Sequence, residues 1–149
     1  MLLTLIALSP LALADDWTPS AEEEAVYRAL SVRDPVPSCE EVESLATDPV
    51  ATLLVVVERA SMPPWAGMRA AECLTSRHSE AIAEEIKAWV AQEETRGLAY
   101  LALNNLDDMP EALAIEVASV ALAGPLADSA ATRIERSEVP SVKALVASP

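Results

Sequence analysis

Apolar residues recur along this chain with the period of an α-helix, in short stretches separated by proline. The clearest stripe is Ile82, Ile86, Trp89 and Val90, at i, i+4, i+7 and i+8, a spacing that places side chains on one helical face. Leu113, Val117, Val120 and Ala121 form a second stripe, and Leu53, Val57 and Ala60 a third. Residues 53–57 are apolar throughout, which predicts burial on more than one side.

Caps and breakers set the boundaries. Thr18 or Ser20 caps a first helix over 19–32, with Glu22, Glu23 and Glu24 in its first turn. Acidic side chains there complement the helix dipole. Asp34-Pro35-Val36-Pro37 breaks it. Ser38 opens a second helix, reaching Ala46, with Glu41 at capping-box spacing. Asp48 caps a third, to Ala60, with Pro49 at the first position, where a missing N–H costs nothing. Met62-Pro63-Pro64 ends it, and a fourth spans 64–76. Ser79 caps a fifth, and a sixth covers 94–106. A seventh starts near Pro110 and stops at Gly124-Pro125, with the glycine as a C-cap. An eighth covers 126–135, and a short ninth, 140–146, closes the last pair.

A weaker signal organises these helices. Ala70-x-x-Cys73-Leu74, Ala99-x-x-Ala102-Leu103 and Ala130-x-x-Arg133-Ile134 repeat one arrangement, and Val42-x-x-Leu45-Ala46 is a fainter copy. The anchors Val42, Ala70, Ala99 and Ala130 are 28, 29 and 31 residues apart, within the range of repeat proteins. First helices begin near 19, 48, 79 and 110, and second helices near 38, 64, 94 and 125. Each pair leaves an apolar face that only the next pair can cover, which is the logic of a solenoid. The expected fold is all-α, a short α-solenoid of about four antiparallel helix pairs.

Composition sharpens this picture. Of 149 residues none is Phe and only three are Gly, so hairpin turns are scarce and a β fold is a poor fit. Small apolar side chains suit closely stacked helices. A net charge of −14 argues against nucleic acid, since phosphate binding needs a basic surface, and against docking on an anionic membrane.

Residues 1–14 read MLLTLIALSPLALA. An apolar run ending in Ala12-Leu13-Ala14 before Asp15-Asp16 fits a signal peptide. The run is short of the ~20 apolar residues that span a bilayer, so no stable membrane insertion is expected. The mature domain is then 15–149, exported to a periplasmic or extracellular compartment.

Residues 95–103, Thr-Arg-Gly-Leu-Ala-Tyr-Leu-Ala-Leu, together with the Ala anchors, resemble the second helix of HEAT repeats in their short bacterial form. The resemblance covers 48–135 well and 19–46 poorly. It lacks the matching Arg in the repeats around Ala70 and Ala130, and Arg133 stands where a small residue is expected. It implies a right-handed solenoid that presents a curved surface to a protein or peptide, without covalent chemistry. An Arg such as Arg96 would tie neighbouring repeats together through a carboxylate. A self-assembling structural subunit is the alternative, and an enzyme or a subunit of a lyase complex is a further one.

Cys39 and Cys73 are the only cysteines, an even count that favours a disulfide in an exported chain. Regular stacking argues the other way. Helices ~9 Å apart, with the cysteines about six positions out of register, hold the Cα atoms beyond the ~7 Å that a bridge needs. Either the first pair is tilted and the bridge forms, or Cys73 is a small core residue. His78 reads as a polar joint residue, because one His beside Glu80, Glu84 and Glu85 is a weak metal set. The loop 104–108 has the composition of a turn. No catalytic residue, metal or cofactor is assigned. Trp65 either staples the proline joint against its neighbour or is an exposed anchor for a partner. In the second reading Arg69, Arg96 and Tyr100 share its surface.

Overall fold

Side-chain caps open the first three helices. Ser20 accepts from the Glu23 amide while Glu23 reaches back to the Ser20 N–H, and Ser38 and Glu41 repeat the same box. Asp48 caps the third helix, whose first residue is Pro49. The computed structural model describes residues 17–147; the expected leader at 1–14 lies outside them. Among the described residues the chain is all-helical: α1 (Ala21–Ser31), α2 (Cys39–Glu43), α3 (Pro49–Arg59), α4 (Pro64–Arg77), α5 (Ala83–Val90), α6 (Arg96–Asn104), α7 (Glu111–Ala123), α8 (Ala127–Ile134) and α9 (Pro140–Lys143). A 3-10 turn, Leu106–Asp108, follows α6. No helix among these residues is long and apolar enough to cross a membrane.

Consecutive helices pack in pairs: α3 on α4, α5 on α6, α7 on α8. Short links turn the chain back on itself, so partners run antiparallel. Gly67 in the first turn of α4 faces the end of α3, where an added Cβ would lie 3.6 Å from the Ala60 carbonyl. Between pairs, α1 packs on both α3 and α4, α5 on α7, α4 on α6 and α6 on α8, whereas α3 and α5 do not pack against each other to a comparable extent.

The core is built where the repeat anchors lie. Val42, Ala70, Ala99 and Ala130 are all fully buried. So are Leu74 and Ile134, and Leu103 nearly so, one turn further on. Alanine dominates because the contact between neighbouring second helices leaves room for little more than a methyl group. Ile82, Ile86, Trp89 and Val90 are buried as one stripe.

Two local expectations are corrected and the Gly124 cap holds. The fifth helix does not begin at Ser79: that residue is buried, the amides of Ala81 and Ile82 both donate to the His78 carbonyl, and the helix opens at Ala83 without a side-chain cap. Gly124 is the C-cap of α7, but with extended backbone, φ −102°. A Cβ there would lie 3.4 Å from the Val120 carbonyl and 3.6 Å from that of Val90 in α5, ordinary van der Waals distances, so neither space nor backbone conformation demands glycine. The sixth helix ends at Asn104, and the residues beyond it form the 3-10 turn.

The first pair departs most. Cys39 and Cys73 form a disulfide, Cα to Cα 5.4 Å. At the other end of α2, Glu43 reaches Arg77 and His78. Both links join residues 34 or 35 apart, whereas the side-chain bonds between later helix pairs span 29 to 31 residues, with Asn105–Glu72 at 33. Helix α2 has only five residues and lies beside the C-terminal half of α4. The faint copy Val42-x-x-Leu45-Ala46 therefore has the wrong register: Val42 is buried, but Leu45 is exposed beyond the helix.

Candidate functional site

Helices α4, α6 and α8 form a row, and polar side chains tie the row together at repeat spacing. Between α4 and α6, Asn105 Nδ2 donates to Thr75 Oγ1 (2.8 Å) and to Glu72 Oε2 (3.1 Å). Thr75 donates in turn to the Ala71 carbonyl at 2.9 Å. Both Thr75 and Asn105 are buried, so each is satisfied inside the protein as burial requires. Between α6 and α8, the Tyr100 hydroxyl lies 3.1 Å from Ser129 Oγ.

Trp65 and Arg69, one turn apart at the start of α4, are half-buried against the end of α1. Trp65 Nε1 donates to the Ser31 carbonyl at 3.2 Å. Arg69 Nη1 donates to the carbonyls of Leu30, at 2.8 Å, and Val32. These oxygens belong to the last turn of α1, which lacks intrahelical donors, so the two side chains cap one helix from another. The Arg33 guanidinium also sits 4.8 Å from the Trp65 ring centroid. Trp65 is thus stapled by the Ser31 carbonyl and by Arg33, while part of the indole stays in solvent.

Arg96 and Tyr100 lie one helical turn apart in α6. Arg96 is exposed and pairs with Glu93 in its own turn, not with a carboxylate of a neighbouring repeat as the HEAT resemblance implied. Tyr100 is half-buried beneath the Arg133 guanidinium, which stacks 3.7 Å from its ring centroid. The four residues Trp65, Arg69, Arg96 and Tyr100 therefore fall on two neighbouring helices, in two separate sets of contacts.

Clefts open beside this row among the described residues. One, of about 240 Å³, lies over the disulfide and is lined by Leu30, Val36, Pro37, Cys39, Arg69 and Cys73 among others. The second, of about 170 Å³, sits at the C-terminal ends of α6 and α8. Leu103 and Leu106 give it apolar walls, and Arg133 and Arg136 supply two cations. Asp107 also lines it, but its carboxylate is already engaged by the Ser137 hydroxyl and the Glu138 amide. Burial disfavours its charge and these hydrogen bonds outweigh that, leaving its pKa below the ordinary aspartate value.

Arg133 is the departure from the repeat that the sequence displays, a long cation at a position that is Cys73 and Ala102 in the preceding copies. Spacing alone marks it as a misfit. What spacing could not show is that the extra length is spent stacking on Tyr100 and walling a cleft.

His78 is the polar joint residue that its place suggests. Its Nε2 lies 3.0 Å from Glu43 Oε1, and Arg77 binds the same carboxylate through Nε (2.9 Å) and Nη2 (3.1 Å). Burial raises the Glu43 pKa, but the bonds and charges of Arg77 and His78 overcome this and lower it. Comparison with protein-family models, with curated proteins and with solved structures finds no match to this chain.

Proposed function

We propose that this protein is an exported, HEAT-like scaffold that binds a protein or peptide across the row of α4, α6 and α8, without covalent chemistry. The observation that carries this reading is the row itself. Its helices lie side by side, joined by Thr75–Asn105 between α4 and α6 and by Tyr100–Ser129 between α6 and α8, and clefts open beside them. Parallel second helices stacked in this way are how a solenoid builds an extended binding surface.

Export is supported by the Cys39–Cys73 bridge, because disulfides persist in oxidising compartments. On this reading Arg96 and the exposed parts of Trp65, Arg69 and Tyr100 meet the partner. A stacked aromatic or arginine that is rigid before binding loses little entropy on contact.

A site-specific photo-crosslinker tests the proposal in the native host. Placed at Arg96, it should capture one protein that the same probe at Ser119, exposed on α7, does not. Equal capture from both faces would refute a defined surface. Capture of a second copy of this chain would favour the self-assembling alternative.

A further inference from the structure

The cleft at the ends of α6 and α8 has a composition at odds with its setting. The chain carries a net charge of −14, yet two arginines converge here, and among the described residues neither forms an ion pair. Arg133 uses Nη1 to reach the Ser129 carbonyl of its own helix at 3.2 Å. Its Nε–H is buried and meets no acceptor. A buried guanidinium donor without an acceptor is costly, and stacking on Tyr100 holds it in place. Leu103 and Leu106, 2% and 1% exposed, form the apolar wall.

We propose that this cleft binds the C-terminal carboxylate of a peptide whose last side chain is apolar. The inference rests on the scaffold reading above and names the group the scaffold anchors. A planar carboxylate matches the fork of a guanidinium. A single negative charge suffers less than a phosphate dianion from the surrounding acidic field. A C-terminal leucine carries carboxylate and apolar group on one residue, which suits a cleft of about 170 Å³ with both kinds of wall. Asp107 does not compete for the arginines, because Ser137 and Glu138 hold its oxygens.

The test is a two-dimensional amide NMR titration with acetyl-Ala-Ala-Leu as the free acid, as the C-terminal amide, and with isovalerate as a free branched acid. The free-acid peptide should give saturable shifts at Leu106 and Ser137. The amide should bind about tenfold more weakly or worse, the usual consequence of losing a charge-assisted hydrogen bond. Arg136→Gln, at an exposed position, should weaken the free acid similarly, and so should Arg133→Lys, which keeps the charge but loses the fork. No saturable shift at millimolar peptide, equal binding of acid and amide, or unchanged binding by both variants would overturn the proposal. Isovalerate binding as tightly as the peptide would overturn the peptide assignment in favour of small acids. The crosslinker at Arg96 reads the scaffold separately: capture unchanged by Arg136→Gln would remove the anchor and leave the scaffold standing.

Discussion

Cys39 and Cys73 bond with their Cα atoms 5.4 Å apart, although an evenly registered stack would keep them from touching. The structure resolves the conflict by shortening α2 and sliding it along α4. A shift of about six residues at 1.5 Å each moves it roughly 9 Å, enough to bring the first residue of α2 level with Cys73. The link between pairs is therefore covalent at the place where the repeat pattern is weakest.

Replacing both cysteines with alanine should lower stability substantially. Closing a loop across 34 residues stabilises by about 3–4 kcal/mol in the chain-entropy model. For a domain of this size that corresponds to a melting temperature lower by about 10 °C or more. Calorimetry of Cys39→Ala/Cys73→Ala beside the oxidised parent checks this; a difference within two degrees would show that packing alone holds the first pair.

Acid should release two of the links between neighbouring helix pairs. Glu43 and Asp107 both have lowered pKa values, so their ionised forms stabilise the fold. That contribution is complete above the unfolded-chain values, about 4, and is lost as pH falls through the lower native ones. Urea unfolding should show parent and Glu43→Gln/Asp107→Asn separated by a constant gap near neutrality. The gap should close in strong acid. A gap that widens on acidification would contradict the direction of both shifts.

Ala99→Glu should prevent folding. Ala99 is fully buried between helices, so the substitution overpacks the contact and strands a charge, with a cost expected above about 4 kcal/mol. Far-UV circular dichroism should show the loss of helix. A folded variant with an unchanged melting curve would mean that the second helices do not approach as closely as the anchors suggest.

The Asn105–Thr75 bond should couple α4 to α6. Asn105→Ala and Thr75→Val together should cost less than the sum of the single changes, because each single change leaves the other buried group short of a partner. A double-mutant cycle measures the coupling, expected to be about 1 kcal/mol. Strict additivity would show that the bond carries no interaction between α4 and the end of α6.

Helix positions were legible in the sequence because their causes are local. Ser20, Ser38 and Asp48 cap their helices through groups only three residues away, and a 3.6-residue stripe such as Ile82, Ile86, Trp89 and Val90 needs no distant partner to be recognised. The anchors Ala70, Ala99 and Ala130 were legible for a related reason, since only small side chains fit where helices of neighbouring pairs touch. Tertiary structure decided what depends on register. It placed α2 beside the end of α4, so that Cys39 found Cys73 and Glu43 found Arg77 and His78. It turned Trp65 and Arg69 toward the open carbonyls of α1, and it laid Arg133 over Tyr100 beside Arg136 to make a cationic cleft in an acidic protein. Such juxtapositions join residues from separate helices, and their geometry follows from how far one helix slides along the next, a quantity that no spacing within a single helix records.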